Sequence, residues 1–127
     1  MTLLGIFIIL HGLVHVAYLG QSWRWFAMRP GMLWPDGSWF FSKITGEKRT
    51  RALAGVLSLL TTILFVIAGT GLLVDSSWWK GFTIASVTLS TFLYVLCWDG
   101  KMLKLNDKGG YGILINIALL ILTLLLN

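Results

Sequence analysis

Apolar residues gather in four blocks along this 127-residue chain instead of alternating with polar ones. The blocks run over about 3–19, 52–74, 78–98 and 111–126. Crossing a bilayer as a helix takes roughly 17–25 apolar residues, and each block approaches or reaches that length. A segment in lipid must satisfy its own backbone hydrogen bonds, so such blocks predict helices, and the alternation of barrel strands is missing. The expected fold is all-α. It is a four-transmembrane-helix bundle forming a single membrane domain over 1–127, with an aromatic-rich interfacial loop over 20–50 between the first and second helices. Met1 and Thr2 supply no basic n-region, and the first block has no small-x-small exit, so it is expected to be a retained helix and not a signal peptide.

Composition strengthens this picture. Hydrophobic residues make up 57% and charged residues 12% of the chain, against roughly 25% charged in ordinary soluble domains. The net charge of +5 sits in short loops, which argues against nucleic acid as a partner. Arg24, Arg29, Lys43, Lys48, Arg49 and Arg51 fall between blocks one and two, and Lys101, Lys104 and Lys108 between blocks three and four. At the junction of blocks two and three there is only Lys80, near the start of block three. The positive-inside rule then makes loops 20–50 and 99–110 cytoplasmic and places both termini outside. Trp23, Trp25, Phe26, Trp34, Trp39, Phe40 and Phe41 interleave with the basic residues of the first loop. They predict short segments lying along the interface, above all 38–45, serving as an anchor or as a platform for anionic lipids. Trp78, Trp79 and Trp98 read as interfacial belts, and Asp75, Ser76 and Ser77 as a turn whose side chains cap the third helix.

The sharpest chemical signal is His11-Gly-Leu-Val-His15. Residues four apart share a helix face, which also takes Tyr18 and Ser22, with Gly5 and Gly12 beside it. Ile6, Ile9, Leu13 and Val16 fall on the opposite, lipid-facing side. Ionisable groups at such depth are costly and normally point into the bundle. Several uses stay open: a metal site on His11 and His15, an axial ligand to haem or chlorin, a quinone or proton site, or packing with hydrogen bonds to neighbouring helices. Cys97, the lone cysteine, and Asp99 are the only further metal ligands in reach. On the third helix Thr83, Ser86, Ser90, Tyr94 and Cys97 form a polar stripe, and on the second Ala54, Ser58, Thr61 and Gly69 form a small-residue face suited to close helix contact. Counting inward from the helix ends predicts His15, Tyr94 and Asn116 in one layer. The expected ligand set is His11, His15, Tyr18, Ser90, Tyr94 and Asn116, with Asp99 and Lys101 as interfacial charges.

Walker and Rossmann glycine patterns and a nucleophile elbow are absent, and no block carries the intramembrane carboxylate a self-sufficient proton pump needs. His11, Gly12 and His15, then Trp78 and Trp79, then Trp98, Asp99 and Lys101, and finally Gly112 and Asn116, together resemble a set of small four-span prokaryotic integral membrane proteins. The resemblance covers helices one, three and four and implies the same topology. It brings no activity, although some such proteins carry a transporter-permease label. The leading expectation is a non-enzymatic accessory or binding subunit that meets membrane lipids and other membrane subunits, or forms a homo-oligomer through the small face of helix two. The rivals are a ligand- or redox-site protein holding haem, chlorin, quinone or metal at His11 and His15, and a small transporter component.

Overall fold

The computed structural model describes residues 1–126. Among them the chain is all-helical, with four α-helices and no strand: α1 (Thr2–Ser22), α2 (Phe41–Leu73), α3 (Trp79–Leu96) and α4 (Gly110–Leu125). A short 3-10 turn, Leu105–Lys108, precedes α4. α1 and α2 are long and apolar enough to cross a membrane. At about 1.5 Å per residue, the 18 residues of α3 and the 16 of α4 span less. Neighbours in sequence pack as neighbours in space, α1 on α2, α2 on α3 and α3 on α4, whereas α1 and α4 do not pack closely along their lengths.

Burial runs against the soluble pattern. His11, His15, Ser58, Thr61, Thr83, Ser86, Ser90 and Asn116 are buried, while Leu3, Leu10, Phe92, Ile117, Leu124 and Leu125 are exposed. Two apolar clusters sit at the two ends. Ile8, Phe65, Leu72, Trp79, Val87 and Leu119 fill one, and Tyr18, Met32, Trp34, Leu93, Tyr94 and Cys97 fill the other. The polar layer of His11, His15, Ser90 and Asn116 lies on the helices that build both. The hydroxyls of Thr83, Ser86 and Ser58 donate to carbonyls four residues back, so α3 and α2 bury them without orphaned groups.

The α1–α2 seam shows why small residues are needed. A Cβ on Gly12 would stand 2.4 Å from Cβ of Phe65, and one on Gly69 would stand 2.6 Å from the carbonyl oxygen of Gly5. The face of Ala54, Ser58, Thr61 and Gly69 is therefore consumed inside the chain against α1 and α3. It is not free for a homo-oligomer contact, which overturns the use expected of it.

The segment expected to be loop is more ordered than its prolines and glycines imply. α2 begins at Phe41, and Gly46 at φ 79°, ψ 168° joins a short stub to the long helix. Only a residue without Cβ adopts such a φ at little cost, so one glycine turns the interfacial segment expected over 38–45 into a bent extension of α2. The remaining stretch, 23–40, folds back over the bundle end. Gln21 donates through Nε2 to the carbonyls of Met32 and Trp34 and accepts from the Met28 amide. Arg24 donates to the carbonyls of Gln21, Leu33 and Trp34. Ser38 Oγ and Trp39 Nε1 donate to the carbonyls of Leu96 and Val95, which α3 cannot satisfy at its C-terminus. Trp34 is buried against Tyr18, with ring centroids 4.9 Å apart, while Trp25, Phe26 and Trp39 stay exposed. Sequence reasoning expects all these rings on the surface, at an interface, whereas Trp34 is buried.

Three smaller expectations are corrected. No Asp or Ser side chain caps α3, whose N-cap is Trp78. Trp79 belongs to the core instead of a belt. Asp99 pairs with Lys108 at 3.0 Å, and toward Lys101 it only accepts the backbone amide.

Asp36 binds the folded loop to α2. Arg51 donates to both its oxygens, at 2.7 and 2.5 Å, and Arg24 reaches it at 2.8 Å. Partial burial pushes the Asp36 carboxyl up, but the hydrogen bond from Arg51 and the charges of Arg24 and Arg51 outweigh it and hold the group below its ordinary value. A depressed carboxyl contributes stability that is complete above its unfolded value and disappears as pH falls through the folded one. The denaturation midpoint of the wild-type protein is therefore expected to lose its advantage over Asp36→Asn as pH drops below about 4. Parallel curves for the two proteins across that range would remove Asp36 from the account.

Candidate functional site

Four side chains predicted as a set meet between the two apolar clusters. His11 Nε2 lies 2.9 Å from Asn116 Oδ1, Asn116 Nδ2 lies 2.9 Å from Ser90 Oγ, and Ser90 Oγ lies 2.8 Å from His15 Nε2. His15 Nδ1 is 3.1 Å from the backbone carbonyl of His11. A carbonyl oxygen only accepts, so the proton sits on Nδ1 of His15. In a neutral ring Nε2 of His15 then accepts, and Ser90 donates to it. Ser90 Oγ accepts from the Asn116 amide, and Asn116 Oδ1 accepts from Nε2–H of His11. The result is a closed circuit with one direction of donation, from His11 through Asn116, Ser90 and His15 back to the carbonyl of His11. Thr91, which the sequence reading passed over, adds a second acceptor for Asn116 Nδ2 at 3.2 Å.

Each donor comes from a helix whose local sequence explains its place. The i, i+4 spacing puts both histidines on the inner face of α1, where Phe65 of α2 packs against each ring at 5.0 and 5.5 Å. Ser90 and Tyr94 follow the same spacing on α3. Tyr94 lies tilted against His15 with centroids 5.5 Å apart and edge-on to Tyr18 at 5.0 Å. His15 packs on Tyr94, and Asn116 bonds directly to His11 and reaches His15 only through Ser90.

Beside the circuit is a cavity of about 220 Å³, lined by His11, Val14, Tyr18, Met28, Met32, Arg29, Tyr94, Asn106, Asp107, Tyr111, Gly112 and Ile115. It lies at the gap where α1 and α4 fail to pack. Tyr94, only 2% exposed, lines it beside Asp107, whose buried Oδ1 makes no hydrogen bond among the described residues. Nδ1 of His11 is the one ring nitrogen of the two histidines that the circuit leaves free. Arg29 and Asp107 pair at 3.0 Å at the rim, bringing the folded loop to the 3-10 turn. Sequence reasoning found His11, Tyr18 and Tyr94 but missed Met28, Met32, Arg29 and Asp107, since nothing in the spacing of a loop tells where it folds back.

The donor set does not suit a metal or a porphyrin. No three His, Cys, Asp or Glu side chains gather among the described residues. Cys97 packs with Trp34 and Asp99 pairs with Lys108, so neither joins the histidines. Both Nε2 atoms, the usual axial ligands, are already hydrogen-bonded. No protein-family model, no curated protein and no solved structure matches the chain.

Proposed function

We propose that this chain is a four-span integral membrane protein acting as a non-enzymatic binding subunit, which holds a small lipophilic molecule in the cavity between α1 and α4. The observation that carries the ligand is a cavity at a loosely packed helix pair whose lining brings together Tyr94 and Asp107, the latter with a buried Oδ1 that makes no hydrogen bond. An internal polar group costs free energy unless something satisfies it, and a bound molecule does so. The membrane setting is supported by the inside-out burial: hydroxyls and imidazoles inside, and Leu, Ile and Phe outside on all four helices. The shorter α3 and α4 fit a bilayer by modest local thinning. Nine of the ten Lys and Arg residues lie in the segments 20–51 and 99–110, which supports a cytoplasmic side for the end they occupy. Trp25, Phe26 and Trp39 remain available to the headgroup region, and the open α1–α4 side faces lipid or a partner subunit.

The test is native mass spectrometry of protein extracted gently from its own membranes. Wild type is expected to carry an extra mass of a few hundred daltons. The Ile115→Trp variant, which fills the cavity, is expected to lose it. Wild-type protein without any retained molecule, or a molecule equally retained by Ile115→Trp, would sink the proposal.

A further inference from the structure

We infer that the cavity takes the reduced, dihydroxyaromatic form of a single-ring quinone, a hydroquinone head with an apolar tail, in preference to the oxidised form. The inference rests on the ligand-holding function proposed above and names its ligand class.

Size comes first. A dry cavity of about 150 Å³ admits benzene, so the 220 Å³ here holds one substituted ring and not a fused macrocycle. Lining comes second. Met28, Met32, Val14, Ile115 and Tyr111 give an apolar and aromatic wall, and thioethers pack well against ring edges. The two rim charges, Arg29 and Asp107, lie 3.0 Å apart and offset each other in charge, which favours a neutral ligand, while Asp107 Oδ1 is left without a hydrogen bond. Access comes third. The cavity lies where α1 and α4 are unpacked, beside the exposed side chains of Leu10, Val14 and Leu114. A ligand entering from lipid leaves its tail there.

The redox preference follows from the circuit. Tyr94 O–H donates to an oxygen of either form. Nδ1 of His11 requires a donor, because Nε2 holds the ring proton against Asn116 Oδ1 at 2.9 Å. Asn116 is not free to turn over, since its amide nitrogen is held by both Ser90 and Thr91. The tautomer of His11 is therefore set from the far side of α4. A hydroquinone hydroxyl supplies the donor that Nδ1 needs, whereas a quinone carbonyl sets lone pair against lone pair. A pure acceptor and a neutral donor together select a ligand bearing at least one O–H.

The probe is duroquinol, titrated under argon into the purified protein in lipid nanodiscs, with duroquinone in parallel and binding read by calorimetry. Duroquinol is expected to bind at least about tenfold more tightly than duroquinone, the value of one good hydrogen bond. Tyr94→Phe keeps the ring and the packing, and is expected to weaken duroquinol by up to about tenfold. Equal affinity for the two forms, or duroquinol binding untouched by Tyr94→Phe, would overturn the inference. Failure of both probes to bind a protein that still carries its own small molecule in the mass spectrum would reject this ligand class and leave the binding function standing. Failure with no retained molecule would reject both.

Discussion

Gly69→Leu is expected to push α1 away from α2 and to cost the fold about 3 kcal/mol, the upper part of the usual range for overpacking. The obstacle is backbone as well as side chain. A Cβ at position 69 would sit 2.5 Å from Cγ1 of Ile9 and 2.6 Å from the Gly5 carbonyl oxygen, and a carbonyl in a helix cannot rotate aside. Gly81→Leu is the internal control, because a Cβ there meets nothing within 4 Å. Both variants raise helix propensity by a similar amount, so the difference between them isolates the contact. The measurement is the midpoint of reversible SDS denaturation in mixed micelles. Equal midpoints for the two variants would show that the α1–α2 seam is looser than the geometry requires.

Trp34→Ala is expected to cost about 3–5 kcal/mol, as large-to-small changes of buried aromatics do. The indole fills the space over Tyr18 and Tyr94 and shares a cluster with Cys97, which is only 1% exposed. Its buried N–H has no partner, so the change also relieves an unsatisfied group and the cost falls toward the lower end of that range. Removing the ring also opens a route from the bundle end to the thiol. A water-soluble maleimide should therefore leave wild-type Cys97 untouched within the labelling time and modify it in Trp34→Ala. Labelling at the wild-type rate would mean that the segment over 23–40 closes over the gap without the indole.

The helices were legible because a long apolar run best satisfies its own backbone hydrogen bonds as a helix, and four apolar blocks became four helices, most ends moving by a few residues and the start of α2 moving from 52 to Phe41. His11, His15, Ser90, Tyr94 and Asn116 were legible as a group for a related reason: polar side chains on apolar helices have nowhere to turn but inward, and helical spacing says which share a face. What the spacing could not give was pairing across helices. It placed Asn116 level with His15, whereas the hydrogen bond goes to His11. The fold of residues 23–40 was illegible for a deeper reason. Its order comes from Gln21, Arg24, Asp36 and Arg51, polar residues that serve as readily in a solvated loop, and their partners are mostly carbonyls that carry no sequence identity. The small face of α2 shows the opposite risk. Its pattern was read correctly as a contact surface, but a pattern does not say whether the contact lies within one chain or between two.

The closed loop of donors through the two histidines also fixes what this centre does with a proton. A Grotthuss-type relay works when every station can receive on one side and release on the other. Here the last station is the amide oxygen of His11, which has no proton to hand on and binds one very weakly. A proton passed from Ser90 to His15 would arrive at an imidazolium whose other nitrogen already faces that oxygen, and there the journey stops. The arrangement is a cul-de-sac: it can park a charge briefly but has no exit by which to conduct one onward.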